Sequence, residues 1–326
     1  MKLTYAKIII LTFTVLIFQS PQVDAQIVYN YDRLPYPSEM YQEIEYNEDK
    51  VLQRNLEKFI SRNKKYTTLA AQKRLSIGIV DLRNPSKLKY ASINGNHMMY
   101  AASLPKIAVL LTAMQSVQEG CLNYDRSLQK DLRLMIAKSN NAATTRVIER
   151  VGFDKIANVL QDERYNLYDR NKGGGLWVGK KYAKSGKRNP DPIKGLSHAA
   201  SVDQVCRFYT LLAYNKFVNN EYNAEMMRYL IDPKINHKFV KVLKKTSPGC
   251  DLYRKSGSWR NFHSDSVLVF GENGKKYILV ALIEDKGGSS ICKNLAKEVE
   301  NILGLKNNFD NEIIKTDKPL ITSGDD

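Results

Sequence analysis

Runs with strand character lie only towards the two ends of this sequence, and that separation most limits what the chain can fold into. RLSIGIVDL (74–82) and KLKYASIN (87–94) read as two strands, punctuated by Asn84-Pro85-Ser86 as a hairpin turn. DLYRKSGSW (251–259), SDSVLVFG (264–271) and KKYILVALIED (275–285) form a second set, with Glu272-Asn273-Gly274 as a turn. Between the two sets the pattern is helical. It runs from Ser103 to about Val117, across 128–160 with Gly152 as the clearest break, over 201–214 with Ser201 as N-cap, and over 222–245 with an interruption near Pro233. Helical spacing also opens the domain at 47–66 and closes it at 291–305. The order predicts an α+β fold, an α/β sandwich. One antiparallel five-stranded sheet is built from both termini, and an all-helical subdomain is inserted at about 100–245. A site is expected in the cleft between them.

The start of the chain predicts export. Lys2 and Lys7 precede an apolar run, 8–18, that is too short to span a bilayer, and Val23-Asp24-Ala25 places small residues where a signal peptidase reads them. Cleavage is expected near Ala25, with no cysteine there for a lipid anchor and no stable membrane anchor later. Residues 26–47 read as an extended leader, 48–306 as the domain and 307–326 as a flexible polar tail. The formal charge of +16 and pI of about 9.5 suit a polyanion, or else a highly soluble basic surface. Export sets nucleic acid aside and leaves an anionic envelope polymer. The four cysteines (121, 206, 250, 292) contain no CxxC and the four histidines no paired HxxxH, so neither a metal nor a cofactor is expected. An oxidising compartment would permit disulfides, in any of three pairings. A monomer is expected.

Ser-x-x-Lys occurs five times, at Ser61, Ser86, Ser103, Ser127 and Ser290. Only Ser103 opens a long apolar helix, with Pro105 where a first turn tolerates proline. That places Lys106 one turn on, on the same face, the arrangement of an activated serine; by itself the stretch reads as readily as an ordinary N-cap serine with a surface lysine, and only context decides for the first. Ser139 and Asn141, spaced i, i+2 between helical runs, can pass a proton and bind a carbonyl. Lys255-Ser256-Gly257 lies on the first closing strand, where a lysine and a hydroxyl would hold an anion and the glycine lets a substrate backbone approach. A second Lys-Ser-Gly, at 184–186, lies in a long aperiodic stretch, 161–195.

Together, in this order and on these elements, the three motifs are far more specific. From about residue 48 to 305 the chain resembles the class A β-lactamase-like serine hydrolases, within the superfamily of β-lactamases, penicillin-binding proteins and D,D-peptidases. SLPK is similar to S-x-x-K, SNN to S-D-N and KSG to K-T-G. LMIAKSNNAATTRVIERVG, HKFVKVLKKTSPGCDLYRKSGSW and FGENGKKYILVALI extend the resemblance beyond the motifs. It implies that Ser103 attacks a carbonyl and forms an acyl-enzyme. Lys106 would take its proton directly, with a pKa lowered by burial and by Lys255. Ser139 would relay the proton to the leaving nitrogen, and Asn141 would bind the substrate's side-chain amide. Lys255 and Ser256 would bind its carboxylate, and the N–H groups of Ser103 and Ser258 would form the oxyanion hole. The substrate would be a β-lactam, a D-alanyl peptide or a related amide or ester, as a small molecule or in peptidoglycan-type material. A true class A β-lactamase is one alternative; a non-catalytic cell-wall-binding module on the same fold is another.

Three departures stand out. The family's antibiotic-hydrolysing members carry a loop glutamate in an E-x-x-x-N pattern, whereas Glu163 and Asn166 are three apart and suit a solvated helix end. Ser103 to Ser139 is 36 residues, shorter than in typical β-lactamases. Ser264-Asp265 replaces the arginine that usually follows K-T-G, with Arg260 as the candidate substitute. In GGGLWVGKKY, Trp177 and Tyr182 suggest either a polymer-binding rim or a loop anchored by a buried tryptophan. His198 reads as a structural hydrogen-bonder.

Overall fold

The structure, a computed structural model, describes residues 34–271 and 274–305. The expected signal segment 1–25, the tail 307–326, the start of the leader and Glu272-Asn273 of the last turn lie outside the described residues.

In chain order the helices are α1 (Lys50–Ser61), α2 (Lys64–Ala71), α3 (Lys106–Gln118), α4 (Arg126–Ala137), α5 (Asn141–Val151), α6 (Phe153–Gln161), α7 (Val202–Ala213), α8 (Asn220–Leu230), α9 (Lys238–Thr246) and α10 (Gly288–Ile302). The strands of the main sheet are β1 (Leu75–Asp81) and β2 (Lys89–Ile93) from one end of the chain and β8 (Asp251–Trp259), β9 (Phe262–Phe270) and β10 (Lys276–Glu284) from the other. Short strands lie between: β3 (Met99–Tyr100), β4 (Tyr168–Asp169), β5 (Gly174–Gly175), β6 (Trp177–Val178) and β7 (His198–Ala200).

The five long strands make one antiparallel sheet built from both ends of the chain, as the sequence predicts, and the structure gives their order as β2-β1-β10-β9-β8. The two ends of the chain meet at its centre, where Ile79 pairs with Leu279. Both faces are buried. Ile77, Ile79, Tyr277, Leu279, Ala281 and Ile283 point into a core with α1, α2, α9 and α10, while Val80, Ile278, Val280 and Leu282 point into a second core with α3 to α8. Burial on both sides explains why these strands read as near-continuous apolar runs. Strand β8 is left as an edge, beside the helical region.

Helix α3 runs through the helical region with Lys106 to Ser116 all buried, as expected of a helix apolar all round. Side-chain caps start other helices: Asn140 accepts from Ala143 N–H at 2.8 Å before α5, and Ser201 from Gln204 N–H at 3.4 Å before α7. The helical run at 47–66 is in fact two helices. Asn63 caps the second, accepting from Lys65 N–H at 3.0 Å. The stretch 161–195 is not structureless either: β4 pairs with β5, and β6 with β7, which pairs with β3. Two-residue strands leave no period to read. Residues 36–47 are packed on the domain, with Tyr36 and Ile44 each 1% exposed and Glu43 ion-paired to Arg207. All four cysteines are free, Cys206 and Cys292 buried, Cys121 exposed and Cys250 half-buried. Among the described residues no helix is long and apolar enough to cross a membrane.

Candidate active site

The turn before α3 presents Ser103 rather than spending it as a cap. Leu104 N–H donates to Ala101 O at 3.1 Å and Lys106 N–H to Ser103 O at 3.4 Å, so the chain turns tightly over 101–106 and Pro105 becomes the N-cap. Among the described residues neither the Oγ nor the N–H of Ser103 makes a hydrogen bond. Ala102, just before it, has φ of +52°, a conformation costly for a residue with a Cβ and common at functional sites. Two contacts hold that turn. Tyr182 Oη donates to Ala102 O at 3.1 Å, and Ser264 Oγ donates to Ala101 O at 2.7 Å.

Gly257 on β8 sets the spacing. A Cβ there would lie 2.5 Å from Ser103 N and 2.7 Å from Ser264 Oγ, and closer still to Ala101 O. The glycine therefore admits the protein's own turn against the strand edge and leaves the Ser103 N–H room to donate.

Lys106 is fully buried, and its Nζ reaches Ser139 O at 2.7 Å, Asn141 Oδ1 at 2.8 Å and Ser139 Oγ at 3.4 Å. No hydrogen bond joins it to Ser103 Oγ; it is turned to the α4–α5 connection. Two of its contacts are acceptor-only oxygens, so two N–H bonds are committed. The third direction, towards Ser139 Oγ, is where a neutral amine carries its lone pair. Burial pulls its pKa down to about 7, so a large fraction is neutral near physiological pH. Lys255 Nζ approaches Ser139 Oγ from the other side at 2.9 Å and also donates to Ser256 O at 2.7 Å. Its pKa is driven well below the usual lysine value, first by burial and then by Lys106 and Arg254. Ser139, at φ of +53°, thus sits between two lysines that cannot easily both carry charge. Asn141 opens α5, faces the cleft, and has its amide NH₂ free to donate.

Further along β8, Ser256 Oγ lies 3.1 Å from His237 Nε2. Burial first, then Arg254, pushes the His237 pKa down to about 4, so it is neutral at pH 7. Sequence reasoning missed this partner, because 19 residues of unrelated spacing separate the two. Ser258 is exposed on β8, opposite His263. Ser264 and Asp265, found where an arginine was expected, are framework residues. Asp265 accepts from Arg254 Nε at 2.7 Å, from its Nη at 2.9 Å and from Phe239 N–H at 3.1 Å, tying β8, β9 and α9 together. Lys238 Nζ, also buried, donates to Gly257 O at 2.6 Å and Ser264 O at 3.0 Å. Arg260 stays at the exposed β8–β9 turn, over the Trp259 ring.

A cleft of about 820 Å³ opens beside Asn141, lined by Tyr100, Tyr182, Trp259, Phe262, His198 and the lysines at 180, 181 and 184, among others. No carboxylate is among its described lining residues. Glu163 is exposed on the turn after α6, and neither it nor Asn166 lines the cleft. Instead the stretch 161–195 supplies Tyr182, whose ring lies 4.4 Å from Lys106 Nζ and 4.2 Å from the His198 ring. Trp177 is the loop's buried anchor, donating Nε1–H to Asn189 O at 2.7 Å. His198 is a structural hydrogen-bonder, with Nε2 3.0 Å from Lys180 O and a pKa pushed to about 4, chiefly by burial. Among the described residues no cluster of three or more His, Cys, Asp or Glu side chains is placed to hold a metal.

The profile of the beta-lactamase enzyme family matches residues 55–131 and 126–303. No curated protein matches in sequence. Among solved structures, a β-lactamase from Sphaerobacter thermophilus is 16% identical, with a TM-score of 0.57 over 73% of this chain and 96% of its own. PBP-A is 17% identical, with a TM-score of 0.58 over 83% and 99%. A class A β-lactamase representative from Bacteroides cellulosilyticus is 16% identical, with a TM-score of 0.57 over 78% and 99%. At such identity these likenesses carry the fold alone.

Proposed function

The chain belongs to the beta-lactamase enzyme family, as a β-lactamase-like serine hydrolase, and we propose that its particular reaction stops at a long-lived acyl-enzyme. Ser103 Oγ attacks the carbonyl of a β-lactam or a D-alanyl peptide. Its proton passes to the neutral amine of Lys106, which moves from Ser139 Oγ towards Ser103 as substrate enters. The N–H groups of Ser103 and Ser258 hold the developing oxyanion. Because Lys255 Nζ donates to Ser139 Oγ, the hydroxyl's own hydrogen is free to reach the leaving nitrogen as the amide bond breaks. Lys106 then returns a proton to Ser139. Lys255 and Ser256, the latter held by His237, take the substrate's carboxylate, and the Asn141 NH₂ takes its side-chain carbonyl.

One observation carries the long-lived intermediate. The group facing Lys106 from the loop is the Tyr182 ring, and among the described residues no carboxylate lines the cleft to activate a water. Export after Ala25 and action as a monomer on envelope material belong to the same reading, supported by the lysine-led apolar segment 8–18 and the +16 charge.

Stopped-flow absorbance with nitrocefin tests it. A burst of one chromophore per enzyme followed by a much slower steady phase is expected. Steady turnover without a burst would make the protein a β-lactamase in the full sense, and absence of any reaction would favour a binding module.

A further inference from the structure

We propose that the cleft beside Asn141 selects substrates whose acyl group carries a second anion on an apolar body. The inference rests on the acyl-enzyme reading only for which end of the substrate Asn141 holds. If the Asn141 amide takes the side-chain carbonyl, whatever lies beyond that carbonyl projects into the cleft. One wall there is apolar and aromatic. Tyr100 and Phe262 meet edge to face at 5.2 Å, and Trp259 stands 55% exposed, unusual for so large an apolar side chain.

Another part of the lining is cationic. Lys180 and Arg188 pair in an isolated antiparallel bridge, which closes the segment 180–188 with its Lys180, Lys181, Lys184, Lys187 and Arg188. Lys181 is neutralised by Glu149 at 2.8 Å, and Lys180 Nζ donates to Lys184 O at 3.2 Å. Among the described residues Lys184 Nζ has no partner and no carboxylate lines the cleft. A purely apolar occupant would leave these charges unanswered. An occupant with an ionised carboxylate meets several cations at once and is steered towards them before contact.

Benzylpenicillin and carbenicillin form a matched pair, since they differ only by a carboxylate on the carbon next to the side-chain carbonyl. The second-order acylation constant of carbenicillin is expected to exceed that of benzylpenicillin about three- to tenfold at low salt, the scale of one or two exposed charge pairs. The ratio should fall towards one in ~0.5 M salt, where the screening length shrinks to a few ångströms. The double variant Lys180→Ala/Lys184→Ala should bring the ratio to about one, and Glu149→Gln, which frees Lys181, should raise it. A low-salt ratio of one or less, or a ratio unmoved by the double variant, overturns the proposal while leaving the acyl-enzyme reading intact. Failure of both penicillins to acylate the wild-type protein would instead overturn that reading, and this proposal with it.

Discussion

Replacing Lys106 by Met is expected to lower the acylation rate by about 10²- to 10⁴-fold, the usual contribution of a positioned general base. Methionine matches the length of the lysine stem and suits a site with no solvent exposure, so the helix should keep its packing. What is lost is the amine between Ser139 and Asn141. The pH profile separates loss of the base from mere disturbance. Burial pulls the Lys106 pKa down to about 7, and a general base must act in its unprotonated form. The wild-type rate should therefore climb with pH up to about 7 and level off above it. The residual rate of Lys106→Met should lose that inflection. With Lys106 gone, Lys255 also loses the nearest cation that depresses its pKa, so that pKa should rise. A variant that acylates at the wild-type rate would remove Lys106 from the chemistry.

Gly257→Ala should cost about 10²- to 10³-fold in acylation, the penalty for losing one oxyanion donor. The added Cβ would meet Ser103 N at 2.5 Å, with Ala101 O closer still, and both are backbone atoms that cannot swing aside. The turn over 101–105 must then move off β8, taking the Ser103 N–H with it. Overpacking of this kind costs about 1–3 kcal/mol of stability, so the fold should survive with a lower melting temperature. The nitrocefin burst phase reads the chemistry and a thermal melt reads the fold. A wild-type burst rate in a folded Gly257→Ala protein would show that the Ser103 N–H has no part in the reaction.

The elements legible in the sequence were those long enough to show a period. The five strands of the main sheet were, and because they lie at the two ends of the chain a shared antiparallel sheet followed; their order came only from the structure. The ribbon strands β3 to β7 are two or three residues each and left no pattern, so the loop that frames the cleft appeared aperiodic. Ser103 was visible only through company. Its local stretch suits a helix cap, and distant Ser139–Asn141 and Lys255–Gly257 singled it out; in the structure Pro105 caps the helix and Ser103 is left uncommitted. What sequence could not reach were partners joined by tertiary packing alone. His237 against Ser256, the Tyr182 ring over Lys106 and the Arg254–Asp265 pair link residues with no spacing rule between them. The tyrosine matters most, because it is the group that the stretch 161–195 sets against Lys106.

Peptide mapping by mass spectrometry after brief exposure to benzylpenicillin tests the central claim most directly. The account predicts one penicilloyl adduct per chain, on Ser103, persisting over many minutes and absent from Ser103→Ala. An adduct on any other residue, or one that survives in Ser103→Ala, would contradict it.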